Sequence, residues 1–296
     1  MDGLLRGINA EHTVRVVAAV TTDLVRECCR RHQLRGVEAL ALGRALCAGC
    51  VMVTLTKHEA ERVRISLQAD GPIGRLLVDA TGSGDVRGCL ERRLAHPEEV
   101  PSDPARAHIA RWVGTGHLVV TRDLGLEQQY QGVIEARSGE VDRDLERYLE
   151  DSEQLPSALG CAIVLDASGE VLRAAAVLCQ SFPGAPPSVL EPIREALAGD
   201  GLTELLHCDR RPEELMGFAM LGDEFEALGE HPLRFRCTCG PERALAVLTT
   251  LGADDLEQLA REEGETEVRC SYCNEAYHVG SEQLFALAAR MREHRS

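Results

Sequence analysis

Two kinds of side chain are scarce in this chain of 296 residues, in which Lys57 is the only lysine and 3% of the residues are aromatic. A Walker A phosphate-binding loop needs a lysine that follows a glycine. Because Thr56 precedes Lys57, the chain cannot hydrolyse ATP through such a loop. Few aromatic rings leave few platforms for stacking nucleic acid bases, and a formal net charge of −16 disfavours nucleic acid and anionic membranes as partners.

The sequence also lacks a recognisable secretion signal. Its start, Met1-Asp2-Gly3, has neither the charged nor the apolar region of a signal peptide, and we identify no long apolar run as a membrane span. We therefore expect a cytoplasmic protein. In a reducing cytosol the twelve cysteines are expected to be thiols or metal ligands rather than a disulfide framework.

Four of these cysteines form two close pairs near the C-terminal end. Cys237 and Cys239 are separated by one residue, and Cys270 and Cys273 follow with C-x-x-C spacing. Zn²⁺ prefers four soft ligands in a tetrahedron, so the pattern predicts a Cys₄ site for one zinc ion. Four buried apolar cysteines and two structural disulfides are the alternatives. A closed Cys₄ site has no open position for a substrate, so we do not expect an enzyme.

The C-x-C spacing of the first pair is unusual for a zinc site. A disulfide between Cys237 and Cys239 would close a very small ring, so we expect it to be strained and easily reduced. Strained disulfides are typical of regulation or catalysis. The spacing therefore indicates a switch between a reduced, zinc-bound state and an oxidised, metal-free state.

Short motifs occur around both pairs and along the rest of the chain. Those near the pairs are Phe235-Arg236-Cys237-Thr238-Cys239, Glu242-Arg243, Leu251-Gly252, Glu263-Gly264 and Val268-Arg269-Cys270-Ser271-Tyr272-Cys273-Asn274 with Tyr277. Those upstream are Ala41-Leu42-Gly43-Arg44-Ala45-Leu46, Val86-Arg87-Gly88, Tyr130-Gln131-Gly132, Ser152-Glu153-Gln154-Leu155-Pro156-Ser157 and Pro183-Gly184-Ala185. In this collinear order the chain resembles, nearly end to end, the heat-shock protein 33 family of redox-regulated holdase chaperones.

The resemblance implies an ATP-independent holdase that oxidation activates. In that family oxidation pairs the cysteines within each motif, which here means the disulfides Cys237–Cys239 and Cys270–Cys273, with release of zinc. Heat assists the unfolding of a linker, and a client-binding surface is exposed. The expected partners are unfolded or partly unfolded proteins and, on activation, a second copy of the chain.

The spacing of apolar residues predicts an α+β fold. Strands are predicted over 4–20, 61–90, 117–122, 129–136 and 159–179. Helices are predicted over about 22–32, 37–56 and 141–150, and a loop that leads into a short helix over 96–110. The helix over 37–56 is apolar on nearly all faces, so we expect it in the core. Antiparallel hairpins with segregated helices are typical of α+β proteins, and we assign residues 1–180 to an N-terminal core domain.

An acidic segment with five prolines follows over residues 181–231, and it carries 11 Asp or Glu against 3 Arg. Leu190, Ile193 and Leu197 mark an amphipathic helix in it. These features predict a helical linker docked on the surface, which its own charge repulsion leaves weakly held. An ordinary acidic helical arm is the alternative.

Residues 232–296 are assigned to a zinc-binding redox-switch domain. Pro241 in a first turn, Gly252 as a C-cap and Gly264 after a second helix predict a helical hairpin between the cysteine pairs. A β-hairpin is predicted over 266–279, and a last helix from Ser281. The apolar content is low, so we expect zinc to supply most of the stability, since structural zinc contributes roughly 10–16 kcal/mol in small modules.

Other candidate groups are weighed against simpler interpretations. Cys47 and Cys50 form a C-x-x-C on a helix and can be a redox pair, but we expect buried thiols. Cys28 and Cys29 lie among arginines that can lower a thiol pKa, but we expect an exposed pair without a role. His231 and His278 are near the zinc pairs in sequence and are expected at the surface, because four cysteines complete the coordination.

Two other classes of function remain as alternatives. A zinc-ribbon nucleic acid binder needs a basic face, which the net charge opposes. A thiol oxidoreductase needs an exposed cysteine with a low pKa that turns over with a reductant, which a turnover assay would detect.

Overall fold

A computed structural model of the chain describes residues 2–91, 109–125 and 129–293. The fold is α+β, as predicted, and it comprises two compact units, Met1–Arg236 and Cys237–Ser296. Most of the loop predicted over 96–110 lies outside the described residues.

Strands and helices occur in both units. The strands are β1 (Gly3–Asn9), β2 (Val14–Val20), β3 (Arg62–Ala69), β4 (Arg75–Thr81), β5 (Asp85–Leu90), β6 (Gly116–Asp123), β7 (Tyr130–Ala136), β8 (Ser157–Leu165), β9 (Val171–Ser181), β10 (Phe225–Pro232), β11 (Arg234–Phe235), β12 (Glu265–Arg269) and β13 (Ala276–Gly280). The α-helices are α1 (Thr22–His32), α2 (Gly36–Met52), α3 (Ala110–Val113), α4 (Val141–Asp151), α5 (Glu191–Ala198), α6 (Gly201–Leu205), α7 (Pro212–Ala219), α8 (Pro241–Leu248), α9 (Ala253–Glu262) and α10 (Ser281–Glu293).

The unit Met1–Arg236 is built in layers around two sheets. Sheet 1 has the strand order β10-β1-β2-β9-β8, and sheet 2 has the order β11-β5-β4-β3-β6-β7. Neighbouring strands are antiparallel, except that β11 runs parallel to β5. Helices α1, α2 and α4 contact strands of both sheets, so they form a layer between them.

Helix α2 is the centre of this layer. All of its residues are buried except Arg44, whose guanidinium pairs with the carboxylate of Glu140. The expectation of a core helix is therefore confirmed. The expectation that no long apolar run exists is wrong, because the helical stretch Gly36–Leu55 is long and apolar enough to cross a membrane by length and composition. Its most apolar window is 94% buried inside the fold, as in the core helix of a soluble protein.

The outer face of sheet 1 is covered by helices α5, α6 and α7, which contact β1, β2, β8 and β9. Side chains of β2 alternate between the two sides of the sheet. Val17 and Ala19 belong to the core around α2, whereas Val14, Val16 and Ala18 belong to a second core under α5–α7. The acidic segment thus docks through an apolar face.

Strand β10 was not predicted, because only helices were expected in the segment 181–231. It lies at the end of sheet 1 and pairs with β1 from Gly3↔Pro232 to Asn9↔Phe225. None of its side chains is fully buried. A strand without a buried face has no reason to alternate apolar and polar residues, so periodicity could not reveal it.

The unit Cys237–Ser296 contains the helices α8, α9 and α10 and the β12–β13 hairpin, close to the predicted bounds. Gly252 is the N-cap of α9 rather than the predicted C-cap of α8, which ends at Leu248. The core of this unit is small. Its buried residues are Leu248, Leu256, Ala260, Val279, Leu284, Leu287 and Ala288.

Candidate metal centre

Cys270 and Cys273 lie in the turn between β12 and β13. The backbone N–H of Cys270 donates to the carbonyl oxygen of Glu275 (2.9 Å), and the N–H of Asn274 donates to that of Cys270 (2.8 Å). Asn274 has a φ of +60°, a left-handed conformation that asparagine tolerates better than most residues. These bonds close the turn and keep the second cysteine pair together.

Cys237 and Cys239 lie on the irregular segment between β11 and α8. Arg243, in the first two turns of α8, donates from Nη1 to the hydroxyl oxygen of Thr238 (2.6 Å). Since Thr238 is the residue between the two cysteines, this bond ties the first pair to the start of the helix.

The four sulfur atoms of Cys237, Cys239, Cys270 and Cys273 all lie within 4.8 Å of one another. The Sγ atoms of Cys237 and Cys270 are 3.7 Å apart, and those of Cys239 and Cys273 are 3.2 Å apart. Zinc–sulfur bonds of about 2.3 Å in a tetrahedron place sulfurs about 3.8 Å apart. The cluster therefore has the composition and nearly the dimensions of a tetrahedral four-thiolate metal site.

The surroundings of Cys270 and Cys273 favour protonated thiols unless a cation is bound. Burial raises the pKa of Cys270 and, more strongly, that of Cys273, which is the one fully buried member of the four. A bound divalent cation reverses this preference, because metal binding releases thiol protons. These four residues, which their spacing in the sequence predicts as one site, lie together in the structure.

Tyr277 contributes a hydrogen bond that the spacing of the cysteines does not predict. Its hydroxyl donates to Sγ of Cys239 (3.0 Å), and this bond raises the pKa of Tyr277. Tyr277 lies on β13 opposite Val268 of β12, so the hairpin register places it. The motif pattern contained Tyr277, but only the pairing of the strands reveals its role.

The two histidines considered as ligands lie elsewhere. His278 is exposed, and its Nδ1 is 2.8 Å from Oε1 of Glu265. His231 is part of β10, in the unit Met1–Arg236. Neither belongs to the sulfur cluster.

The chain that leads to Cys237 is held on sheet 2. The N–H of Arg234, in β11, donates to the carbonyl oxygen of Gly84, and the N–H of Arg236, which follows β11, donates to that of Val86. Asp85 accepts a hydrogen bond from Nε of Arg234 (2.5 Å) and from Nη1 of Arg236 (3.5 Å). These contacts fix the chain up to the residue before the first cysteine of the cluster.

The remaining cysteines, all of which lie in the described ranges, form no disulfide, and Cys208 is the only exposed one among them. Cys47 and Cys50 are buried, as expected, and burial raises the pKa of Cys47 to about 12. Cys28 and Cys29 are also buried, so the expectation of an exposed pair is wrong. Burial raises the pKa of Cys29 to about 12, so the neighbouring arginines do not activate it. Adjacent helix residues both become buried because α1 contacts α2 and both sheets.

Comparison with known proteins settles the family. A family model described as "Hsp33 protein" matches residues 2–280. The chain belongs to the Hsp33 family. Among Hsp33 relatives, a "33 kDa chaperonin" of Geobacter sulfurreducens is 34% identical over 96% of this chain and 93% of that protein. One of Desulforamulus reducens is 33% identical over 99% of both chains.

A solved Hsp33 structure has the same fold. The crystal structure of the 33 kDa chaperonin (heat shock protein 33 homolog) of Thermotoga maritima matches with a TM-score of 0.84 and 27% identity, over 99% of both chains. Membership of Hsp33 supports a chaperone function, and with it the binding of unfolded client proteins, rather than a class of enzyme.

Proposed function

We propose that this protein is an ATP-independent holdase whose activity is switched on by oxidation of Cys237, Cys239, Cys270 and Cys273. The observation that carries the proposal is the clustering of their sulfurs within 4.8 Å, with three of the four residues partly exposed. An oxidant can reach such a cluster, and a second sulfur is always close enough to react with the first.

Zinc is the ion that this donor set fits, since four thiolates in a tetrahedron are a typical structural zinc site. Bound Zn²⁺ would hold all four cysteines as thiolates and link the turn between β12 and β13 to the segment before α8. With peroxide, one thiolate attacks an oxygen and becomes a sulfenic acid, with release of hydroxide. The thiolate of its own pair then displaces hydroxide and forms the disulfide.

The proposed disulfides are Cys237–Cys239 and Cys270–Cys273. Together they remove all four ligands, so the unit Cys237–Ser296 keeps only its small apolar core. The proposed functional parts are a chaperone core over 1–180, a metastable linker over 181–231 and a redox-switch domain over 232–296. Loss of the switch domain's fold would release the linker from sheet 1. The linker is held there only weakly, because its acidic residues repel one another.

Release of the linker would expose the apolar outer face of sheet 1. In the folded protein this face packs against α5–α7 through a second core. Its side chains on sheet 1 include Leu5, Val14, Val16, Ala158, Ala162, Val164 and Val177. A large exposed apolar face is typical of a protein-binding site, and here it would hold unfolding clients. We propose further that the active form is a homodimer and works in the cytoplasm, without ATP or nucleic acid.

Light scattering from a chemically unfolded client, diluted into buffer without ATP, tests this function. The reduced, zinc-loaded protein should leave aggregation unchanged, and protein treated with warm peroxide should suppress it. Zinc released into a chromogenic chelator should rise in step with the suppression. The proposal fails if neither sample suppresses aggregation, or if suppression does not follow zinc release.

A variant with all four cysteines changed to serine separates the switch from the chaperone surface. Without the ligands, the switch domain should lose its support, and suppression should no longer need oxidant. A quadruple variant that still requires peroxide would contradict the proposed mechanism. Cys208→Ser, at the exposed cysteine outside the cluster, is the matched control and should respond to peroxide like the unmodified protein.

A further inference from the structure

The edge of sheet 1 at β1 is occupied by a strand of the linker. Pairing between β1 and β10 extends over the whole of β1, with one register shift between Arg6 and Gly7. Beyond the strand, the N–H of Ala10 donates to the carbonyl oxygen of Glu224 (3.1 Å) and lengthens the ladder. On its other side β1 pairs with β2, so this strand has a permanent neighbour within the core domain and a second one from the linker.

The backbone groups of β1 are divided between these two neighbours. Successive residues of a strand point their N–H and C=O groups to opposite sides. Because Ala10 donates towards β10, the amides of Leu4, Arg6 and Ile8 also point to β10. The amides of Leu5 and Gly7 then point to β2, opposite Ala18 and Val16.

Strand β10 is held on this edge mainly by its backbone. Each of its side chains is exposed or only partly buried, and Leu228 is 59% exposed. The sequence Phe225–Pro232 contains two glutamates, a glycine and no β-branched residue, which is a poor composition for a strand. Phe225, at the start of the strand, packs at the rim of the second core, and the other residues of β10 do not belong to that core. A strand that is held mainly by its main chain can be replaced by another extended chain of almost any sequence.

We infer that the β1 edge is a client-binding surface, which takes up an extended segment of an unfolded polypeptide as an added strand once β10 has left. This inference rests on the proposed function, because β10 belongs to the linker that oxidation would release. In strand addition, main-chain hydrogen bonds supply the affinity, and alternate side chains contact the flanking surface. In the reduced protein β10 occupies this edge and excludes clients from it.

The neighbourhood of the edge suits such a segment. Leu5 of β1 belongs to the apolar core under α7, where Met216 packs. When α7 leaves together with β10, alternate side chains of the added strand would face this apolar surface. Every unfolded protein has N–H and C=O groups at the same spacing, so the edge recognises the unfolded state rather than a sequence.

Hydrogen exchange of individual amides in the full chain tests the inference. In the reduced protein, the amides of Leu4, Arg6 and Ile8 should be protected. After peroxide treatment without client they should exchange at least about tenfold faster. Addition of an unfolded client should restore most of the protection. The amides of Leu5 and Gly7, which face β2, are the internal control and should stay protected throughout.

Two substitutions in β10 provide a matched pair. Glu226 lies opposite Ile8, so its N–H points to β1, whereas Glu230 lies opposite Leu5, and its N–H points away. Both glutamates are exposed. Glu226→Pro removes a ladder donor and should free the Leu4, Arg6 and Ile8 amides in the reduced protein. Glu230→Pro removes the same charge but no ladder donor, because the N–H at this position faces away from β1, where edge strands tolerate proline. This variant should leave the three β1 amides protected.

Light scattering and zinc release, measured on the same samples, distinguish a failure of the β1-edge inference from a failure of the proposed function. The inference is overturned if treated protein suppresses aggregation while the three β1 amides stay protected without client, or stay unprotected with client bound. It is also overturned if the two proline variants exchange alike. If treated protein neither releases zinc nor suppresses aggregation, the proposed function itself fails. If Glu226→Pro does not fold, the exchange series on the unmodified chain decides alone.

Discussion

Gly7 is the residue of β1 at which a side chain has the least room. A Cβ atom there would lie 2.7 Å from the carbonyl oxygen of Glu226 and 2.8 Å from Sδ of Met216. Both contacts are with the proposed linker, one with β10 and one with α7. We expect Gly7→Ala to push the linker away at a cost of about 1–3 kcal/mol. Treatment with peroxide should then activate the chaperone at a lower temperature, as measured by light scattering.

Gly3→Ala is the control for that substitution. Gly3 lies in the same strand, and a Cβ atom there would meet its nearest neighbour, the carbonyl oxygen of His231, at 3.7 Å. This is an ordinary van der Waals distance, so activation should occur at the temperature of the unmodified protein. If the two variants were activated at the same temperature, the crowding at Gly7 would have no part in holding the linker.

The four cysteines of the candidate site could be recognised from spacing alone, because each pair is local in sequence and two such pairs supply the four ligands of a tetrahedral metal site. Two other contributors to the site could not. The hydrogen bond from Tyr277 to Cys239 depends on the register of β12 with β13. The contacts of Asp85 with Arg234 and Arg236 join residues about 150 positions apart, a distance over which sequence patterns carry no information.

Among the helices and strands, the periodicity of apolar residues predicted the elements that bury one face or both faces. The hairpin β8–β9 and the meander β3–β5 have such faces, and their bounds were close to those observed. Strand β10 has no fully buried side chain and was missed. Gly252 was assigned to the wrong helix because glycine is accepted both at a C-terminal and at an N-terminal cap, and only the backbone shows which.

Removal of the metal should affect one set of elements and spare another. We expect a zinc chelator, added to the reduced protein, to abolish hydrogen-exchange protection in α8, α9 and the β12–β13 hairpin. These elements share a small core, and structural zinc contributes roughly 10–16 kcal/mol in modules of this kind.

Protection in β8 and β9 should persist after chelation, because these strands pack on the large core around α2. They are the internal control for damage by the chelator. Retention of full protection in the β12–β13 hairpin after the metal is gone would show that the apolar core alone holds this unit, against our expectation.

At the largest scale, the sequence did not predict that two sheets of the unit Met1–Arg236 enclose α1, α2 and α4 between them. The apolar character of α2 on all faces indicated that something must surround it, but not that a sheet lies on each side.

The enclosure of α2 between two sheets has a consequence for the thiols buried there. Burial raises the pKa values of six cysteines in the unit Met1–Arg236, which are Cys28, Cys29, Cys47, Cys50, Cys161 and Cys179.

Because burial raises the pKa values of these thiols, we expect the folded protein to lose stability at alkaline pH. A thiol with a raised pKa keeps its proton in the folded state after the unfolded chain has lost it, so unfolding releases protons. The free energy of unfolding should therefore fall as pH rises from about 9, the ordinary thiol value, towards the raised values, which are about 12 for Cys29 and Cys47. Each such thiol should add about 1.4 kcal/mol per pH unit to the slope. Urea titrations of the reduced protein at several pH values measure it.

Cys50→Ala and Val51→Ala are the matched pair for this slope, since both residues are fully buried in α2. Each substitution should lower stability at neutral pH by leaving a cavity. Only Cys50→Ala should also make the alkaline slope shallower, by the contribution of one thiol. Equal slopes in the two variants would show that the buried thiols do not set the alkaline limit.

The position of β10 in the chain has a consequence for synthesis on the ribosome. The four other strands of sheet 1 are complete once Ser181 has been made, but β10 does not end until Pro232. At about 5–20 residues per second, the intervening stretch takes on the order of 3–10 s to translate. During that time β1 has a partner on one side alone. Each newly made molecule thus passes through the open-edged form that we infer for the activated protein.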